Sequence, residues 1–274
     1  MAGRVPKARR KGVFGRDPIA YDRARLEYPE RLYDLLARRC GLGPGTRVLE
    51  IGPGTGIATR ALLRRGPASV TLVEADTRLV RYLRATLRTE EGRVTVVPER
   101  FEAARLPPAR YDLVVAASSF HWLPPRKALR KVARLLRPGG WWAVWNNHHG
   151  DPYRPSAFQA RLQPLYADLG TGRGWTYGQS ARARLQDRRK GERRLAAVAS
   201  VGAFDRISRT DLRWKATLTA DRVVQLWATF SDVAVLPPAR RRRLLAGVGR
   251  VVREGFGGRV TIPMVTPLYT ARRR

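Results

Sequence analysis

Apolar and polar positions follow two rhythms that take turns along this chain. Short, nearly unbroken apolar runs rich in β-branched residues occur in TRVLEIG (46–52), SVTLVEAD (69–76), RVTVVPER (93–100), YDLVVAASS (111–119) and WWAVWNN (141–147). Runs of this length and make-up predict buried strands. Between them the apolar spacing is helical. IATRALLRRG (57–66) ends in glycine, and TRLVRYLRATLRTEEG (77–92) sets Leu79, Tyr82, Leu83 and Leu87 on one face. PRKALRKVARLLRPGG (125–140) is amphipathic and predicted to close at its Pro-Gly-Gly. Upstream, residues 17–45 read as helical, with Leu32, Leu35 and Leu36 at helical spacing and Pro29 suited to a first turn. Gly41, Gly43, Pro44 and Gly45 stop that segment. Strands and helices that alternate in this way predict an α/β fold, a doubly wound, mostly parallel sheet covered on both faces.

From about Asp151 the pattern changes. Residues 151–200 are polar, basic and glycine-punctuated, with weak helical signals at Phe158–Leu169 and Leu195–Val201. DRISRTDLRWKATLT (205–219) predicts a strand, and TADRVVQLWATFS (219–231) a helix capped by Thr219. PPARRRRLLAGVGRVV (237–252) predicts a further helix, and RVTIPMVTPLYTARR (259–273) a closing strand made irregular by Pro263 and Pro267. The expectation is one sheet with a helical insertion or lid. Residues 1–15 read as a flexible basic tail.

Composition narrows the class. A chain of 274 residues with 43% hydrophobic and 28% charged positions can bury a proper core. No apolar run approaches the ~20 residues that span a bilayer, and no apolar stretch follows the basic start, so neither membrane nor secretory signal is expected. With one cysteine, Cys40, read as a small buried hydrophobe near a helix end, the expected location is the cytoplasm and no cysteine-rich metal site is expected. The net charge of +32 attracts polyanions. Only six of the 54 basic residues are lysines, the rest being arginines scattered along the chain. That skew is what codon usage in a GC-rich genome writes. The charge leaves three partners open: solvent alone, an acidic substrate, or nucleic acid.

The candidate chemistry starts at the first strand. Glu50 is followed by Gly52-Pro53-Gly54-Thr55-Gly56, a G-x-G-x-G turn and not the G-x-G-x-x-G of dinucleotide folds. Glu74 stands at the end of the second strand, where a carboxylate accepts hydrogen bonds from ribose hydroxyls, and Asp76 beside it suits a helix cap. No G-K-[ST] follows the glycines, and Ser118-Ser119 lacks the nucleophile-elbow context.

Taken in order, Glu50 with its glycine loop, Glu74, VVPERFEAARLPPARYDLVVAASSFHWL and LLRPGGWWAVW resemble the class I S-adenosylmethionine-dependent methyltransferases. They are most similar to the small-molecule family that includes the trans-aconitate methyltransferases. Residues 21–29, YDRARLEYP, resemble that family's Y-D-x-x-R-P-x-Y-P segment, with Leu26 in place of the usual proline. The likeness implies a Rossmann-like, mostly parallel seven-stranded sheet with a helical lid. It implies a single methyltransferase domain over 16–274: cap helices 16–46, cofactor core 47–146, substrate insertion or lid 147–202, and closing elements 203–274.

By the same likeness S-adenosylmethionine, leaving as S-adenosylhomocysteine, is held by Glu50, Gly52, Pro53, Gly54, Thr55, Gly56, Glu74 and Ala75. Arg100 or Phe101 would lie against the adenine, and Ala117 and Ser118 beside the cofactor. Tyr21 and Arg25 belong to the segment that closes over the substrate. The three histidines, His121, His148 and His149, follow the fourth and fifth strands, where doubly wound sheets place their sites. His121 and His148 are candidate bases, and Trp122, Asn146 and His149 candidate substrate contacts, while the remaining tryptophans are expected to pack. No metal site is expected. The expected reaction is methyl transfer to a small molecule at oxygen. An RNA or ribosome methyltransferase, favoured by the charge, and a methyltransferase-fold protein that does not methylate are the rivals. The oligomeric state, a homodimer included, is not written in the sequence.

Overall fold

A computed structural model describes residues 15–154, 156–167 and 181–274. Except for Gly15, the expected basic tail lies outside the described residues, as does part of the 147–202 insertion. The chain divides into two compact units. One, the α/β unit, comprises Glu27–Asn147, Lys190–Leu212 and Thr266–Arg274; the second takes in the described residues up to Leu26 and those of His148–Arg189 and Arg213–Val265.

In the α/β unit the predicted strands form where the apolar runs stand: β1 (Arg47–Ile51), β2 (Ser69–Val73), β3 (Val94–Val97), β4 (Tyr111–Ala117) and β5 (Leu136–Trp145). The order is β3-β2-β1-β4-β5, all parallel, and β8 (Arg259–Arg273) then adds antiparallel to β5 with Trp141 opposite Arg272 and Trp145 opposite Leu268. The order reverses between β1 and β4, the switch point beyond whose carboxyl ends open sheets bind ligands. The described strands thus make the doubly wound, mostly parallel sheet of the Rossmann-like class.

Side chains leave the strands alternately on two faces. Leu49, Ile51, Val114, Ala116, Trp142 and Val144 enter one apolar core. They pack with Leu129 and Val132 of the helix Pro125–Leu135. Val48, Leu113, Val115, Ala143 and Trp145 enter the other core, with Leu32, Tyr33 and Leu36 of the helix Glu30–Cys40. Cys40 ends that helix as a buried residue, and burial pushes its thiol up to about 12. Pro29 precedes Glu30 as the N-cap residue, and the segment 17–45 forms two helices, Pro18–Ala24 and Glu30–Cys40.

Two sequence expectations are corrected. The Pro-Gly-Gly does not close the helix: the helix stops at Leu135, and Arg137–Gly140 form an irregular stretch inside β5, where the register to β4 shifts between Tyr111 and Leu113. Gly140 is obligatory there, because a Cβ would stand 2.9 Å from the Arg137 carbonyl and 3.1 Å from that of Asp112. The weak helix at Leu195–Val201 is the end of a longer one, Ala181–Ala199. Its Arg, Gln, Glu and Ala favour helix intrinsically without the apolar stripe that a pattern reading relies on.

In the second unit, helices Ala157–Ala167, Ala220–Ala228 and Pro238–Gly255 pack Phe158, Leu162, Val223, Trp227, Leu244 and Val248 into one core. Trp227 Nε1 donates to Tyr166 Oη at 2.5 Å. Thr219 caps its helix as expected, its hydroxyl accepting from Arg222 N at 3.3 Å. A two-residue strand β6, His148–His149, pairs with Val265 and Met264 of β8. β8 passes through Pro263 and Pro267 without ending, and Pro267 falls between its pairing with β6 and its pairing with β5. The strand β7 (Phe204–Thr219) pairs with β8.

Candidate active site

The carboxyl ends of β1, β2 and β4 carry most of the predicted cofactor residues in the α/β unit. Glu50 is 0% exposed. Its Oε2 accepts from Thr59 Oγ1 at 2.7 Å, whereas its Oε1 is buried with no hydrogen-bond partner among the described residues. Burial raises its carboxyl to about 7, the Thr59 hydroxyl opposing and the neighbouring Glu74 reinforcing the shift. A buried carboxylate oxygen without a donor is costly to keep. A donor, above all a cationic one, would satisfy it.

The three loop glycines are glycine for different reasons. All have positive φ, +65° at Gly52, +63° at Gly54 and +83° at Gly56. A Cβ on Gly52 would lie 2.8 Å from the Ser119 Cβ, and one on Gly56 would lie 3.0 Å from Leu83 Cδ2. A Cβ on Gly54 would meet nothing within 4 Å. Gly52 and Gly56 therefore serve close packing, while Gly54 presents bare backbone to open space. Pro53 and Thr55 are buried, and the Thr55 hydroxyl also has no partner among the described residues.

Glu74 directly follows β2. Its Oε2 accepts from Gly54 N at 3.2 Å and its Oε1 from Asp76 N at 3.0 Å. Burial raises its carboxyl, and these backbone donors oppose the rise. Glu74 thus ties the glycine loop to the end of β2 and still has lone pairs to offer. Ala75 is exposed. Asp76 caps the helix Thr77–Thr86 as expected, accepting from Arg78 N at 3.0 Å, and the Arg78 guanidinium holds its carboxyl below the usual range.

Arg100 is exposed and Phe101 is buried in the core. Lys131 Nζ lies 5.0 Å from the Phe101 ring and donates to the carbonyls of Phe101 and Ala104, both at 2.6 Å. Ala117 ends β4 half-buried, and Ser118 follows it with φ +58°. The Ser118 and Tyr28 hydroxyls are hydrogen-bonded at 2.8 Å, and Ser119 Oγ donates to the Ile51 carbonyl. Thr59, Ser119 and Lys131 were not singled out by sequence reasoning. A single hydroxyl on a helix or an amine near a carbonyl has no sequence signal of its own.

Beyond β4 the turn Phe120–Trp122 exposes His121, whose ring lies tilted by 40° against Trp122 with the ring centres 4.6 Å apart. Phe120 packs on Trp142 at 5.3 Å. Asn146 is half-buried beyond β5. Its neighbour Asn147 donates to the Glu27 carbonyl at 3.1 Å and accepts from Thr266 at 2.6 Å.

Tyr21, Arg25, His148 and His149 belong to the second unit. Three of them cluster: the Arg25 guanidinium carbon lies 5.0 Å from the Tyr21 ring centre and 5.2 Å from that of Phe230, against which His149 packs at 4.8 Å. Burial first, then the charge of Arg25, holds His149 well below its ordinary value, so its ring is neutral. His148 is half-buried. Among the described residues, no group of three or more His, Cys, Asp and Glu could hold a metal, and no helix is long and apolar enough to cross a membrane.

Residues 48–140 match the family model for a methyltransferase domain. An uncharacterised methyltransferase of Mycobacterium bovis is 35% identical over 134 residues, 48% of this chain and 51% of that protein. The chain spans about half the length of the curated relatives it matches. Two solved structures share the fold at low identity. A protein of Anaeromyxobacter dehalogenans assigned as a type II methyltransferase has a TM-score of 0.58 at 21% identity, covering 91% of this chain and 97% of its own. Phosphoethanolamine N-methyltransferase 2 of Haemonchus contortus, solved with S-adenosyl-L-methionine, has a TM-score of 0.54 at 15% identity, covering 96% of this chain and 57% of its own.

Proposed function

We propose that this chain transfers a methyl group from S-adenosylmethionine to oxygen of a small-molecule acceptor, in the manner of the trans-aconitate-type enzymes its motifs resemble. The observation that carries the reading is the orphaned, buried Oε1 of Glu50 beside a glycine loop whose Gly54 opens onto empty space. S-adenosylmethionine carries an ammonium group and two ribose hydroxyls, and these residues fit it. Glu50 would accept from the ammonium, its carboxyl ionising as the cation arrives. Glu74, already steadied by two backbone donors, would accept from the ribose hydroxyls. Gly52–Gly56 would lay backbone against the cofactor, with Ala75, Arg100, Phe101, Ala117 and Ser118 as further contacts.

When bound, S-adenosylmethionine supplies an activated methyl group, so the protein's share is to position the acceptor and keep water out. A carboxylate oxygen needs no proton removed. For a hydroxyl acceptor, His121 or His148 would be the base. Trp122 and Asn146 are the proposed acceptor contacts in the α/β unit, and the cytoplasm is the proposed location. Calorimetry on purified, cofactor-free protein tests the reading, with S-adenosylmethionine and S-adenosylhomocysteine expected to bind at one site. Absence of binding by both would sink it.

A further inference from the structure

We propose that the outer face of the helix Pro125–Leu135, in the α/β unit, is a docking surface for the phosphodiester backbone of a nucleic acid. Its sequence, PRKALRKVARL, holds five basic residues and no acid. Ala128, Leu129, Val132, Ala133 and Leu135 are buried, so the inner face is spent on the core. Arg126, Lys127, Arg130 and Arg134 are exposed. Arg126, Arg130 and Arg134 stand at i, i+4 and i+8, a row of like charges about one turn apart that disfavours the helix until an anion neutralises it. Lys131 stays out of the row: its Nζ donates to the carbonyls of Phe101 and Ala104, with Glu99 and Glu102 near enough to act on its charge. Among the described residues no carboxylate pairs with the four exposed cations, whereas Arg47, Arg65, Arg78 and Arg93 of the same unit each lie against an aspartate or glutamate.

At about 1.5 Å per residue, Arg126 and Arg134 are about 12 Å apart along the helix axis, a length over which a duplex presents about seven phosphate charges. Arg110 adds to the basic surface at the far end, exposed and with its backbone N donating to the Leu135 carbonyl at 3.0 Å. Arginine suits this partner, because one guanidinium gives two parallel N–H donors to the oxygens of one phosphate. A bilayer fits less well. An amphipathic helix holds lipid by burying its apolar face there, and here that face is inside the core. The helix begins three residues after the turn Phe120–Trp122, so the row leads towards the carboxyl end of β4. The docking face goes beyond the small-molecule reading above and does not rest on it.

The test is fluorescence anisotropy of the full chain with labelled oligouridine and with an RNA duplex, each of about 20 nucleotides per strand, from about 50 to about 200 mM salt. Wild type is expected to bind at least one of them at about 0.15 M salt. The triple variant Arg126→Gln, Arg130→Gln, Arg134→Gln should bind about tenfold or more weakly, with the slope of log affinity against log salt shallower by about two to three. A control triple, Arg81→Gln, Arg84→Gln, Arg88→Gln, removes the same charge from another exposed stretch of the same unit. Diffuse attraction by a chain of net charge +32 predicts equal losses in the two. Equal losses, or no binding by wild type at about 0.15 M salt, overturn the proposal. Tighter binding to phosphatidylserine vesicles than to either RNA, lost in the first triple, overturns the nucleic-acid partner. Glutamine is a good helix former and ends the like-charge row, so the first triple should melt no lower than wild type. If it nonetheless fails to fold, Arg130→Gln alone decides: the slope must fall by about 0.7–0.9, and an unchanged slope refutes the docking face.

Discussion

Replacing Glu50 with glutamine separates what this residue costs the fold from what it would do for a cofactor. An ordinary glutamate titrates at 4.5, and burial lifts Glu50 to about 7. At about 1.4 kcal/mol per pH unit, that gap corresponds to about 3 kcal/mol. The sign follows from linkage. Below pH 4.5 the carboxyl is protonated in both folded and unfolded chains and imposes no penalty. As pH rises through the folded value near 7, the buried group must ionise, and the stability is lost. Glu50→Gln mimics the protonated form, since an amide oxygen can still accept from Thr59 Oγ1, which donates at 2.7 Å in the native protein. Denaturant titrations of cofactor-free protein should therefore find the variant about 3 kcal/mol more stable than wild type at pH 8, and nearly equal to it at pH 4.5. The same variant should lose S-adenosylmethionine binding in calorimetry, since it lacks the carboxylate for the ammonium. A stability difference that does not change with pH, or a variant less stable at pH 8, would refute the account of a buried, orphaned carboxylate kept for a ligand.

Three further outcomes follow from particular contacts. Gly52→Ala forces a Cβ at φ +65° to within 2.8 Å of Ser119 and should cost about 2–4 kcal/mol in denaturant unfolding; a loss under about 1 kcal/mol would show that the loop relaxes freely. Burial pushes the Asp112 carboxyl up, but the donors of Arg47 and Arg137 outweigh it and hold it well below the usual range. Asp112→Asn should thus lose about 1–3 kcal/mol at pH 7, a deficit that begins to shrink as pH falls below the ordinary aspartate value of 3.8 and is gone only once pH passes the depressed folded value. Asp76→Ala removes a side-chain cap and should cost about 1 kcal/mol of stability, measured by thermal unfolding, without moving the pH profile of Glu50→Gln.

The α/β architecture was legible because its strands are buried on both faces and so read as unbroken apolar runs. The acids and glycines of the loop were legible too, since a strand, a turn and a helix leave few positions from which a carboxylate can reach the switch point. The Pro-Gly-Gly misled: proline and glycine mark a break in regular structure, but not whether a helix ends or a strand bulges. The long arginine-rich helix escaped because intrinsic propensity carries no periodic stripe. His149 and Arg25 were both visible as candidates, yet nothing local distinguished them from solvated surface residues.

What the sequence determined by itself is the layered sheet and the Glu50, Gly52–Gly56 and Glu74 constellation, because strand burial, turn conformation and carboxylate chemistry are properties of short segments. Only the tertiary structure decided that Gly54 faces open space while Gly52 and Gly56 face side chains. Among the described residues, it alone left one oxygen of Glu50 without a donor. Those facts depend on which distant atoms fill or leave empty the space around a group, since packing and desolvation are set by neighbours from the whole fold.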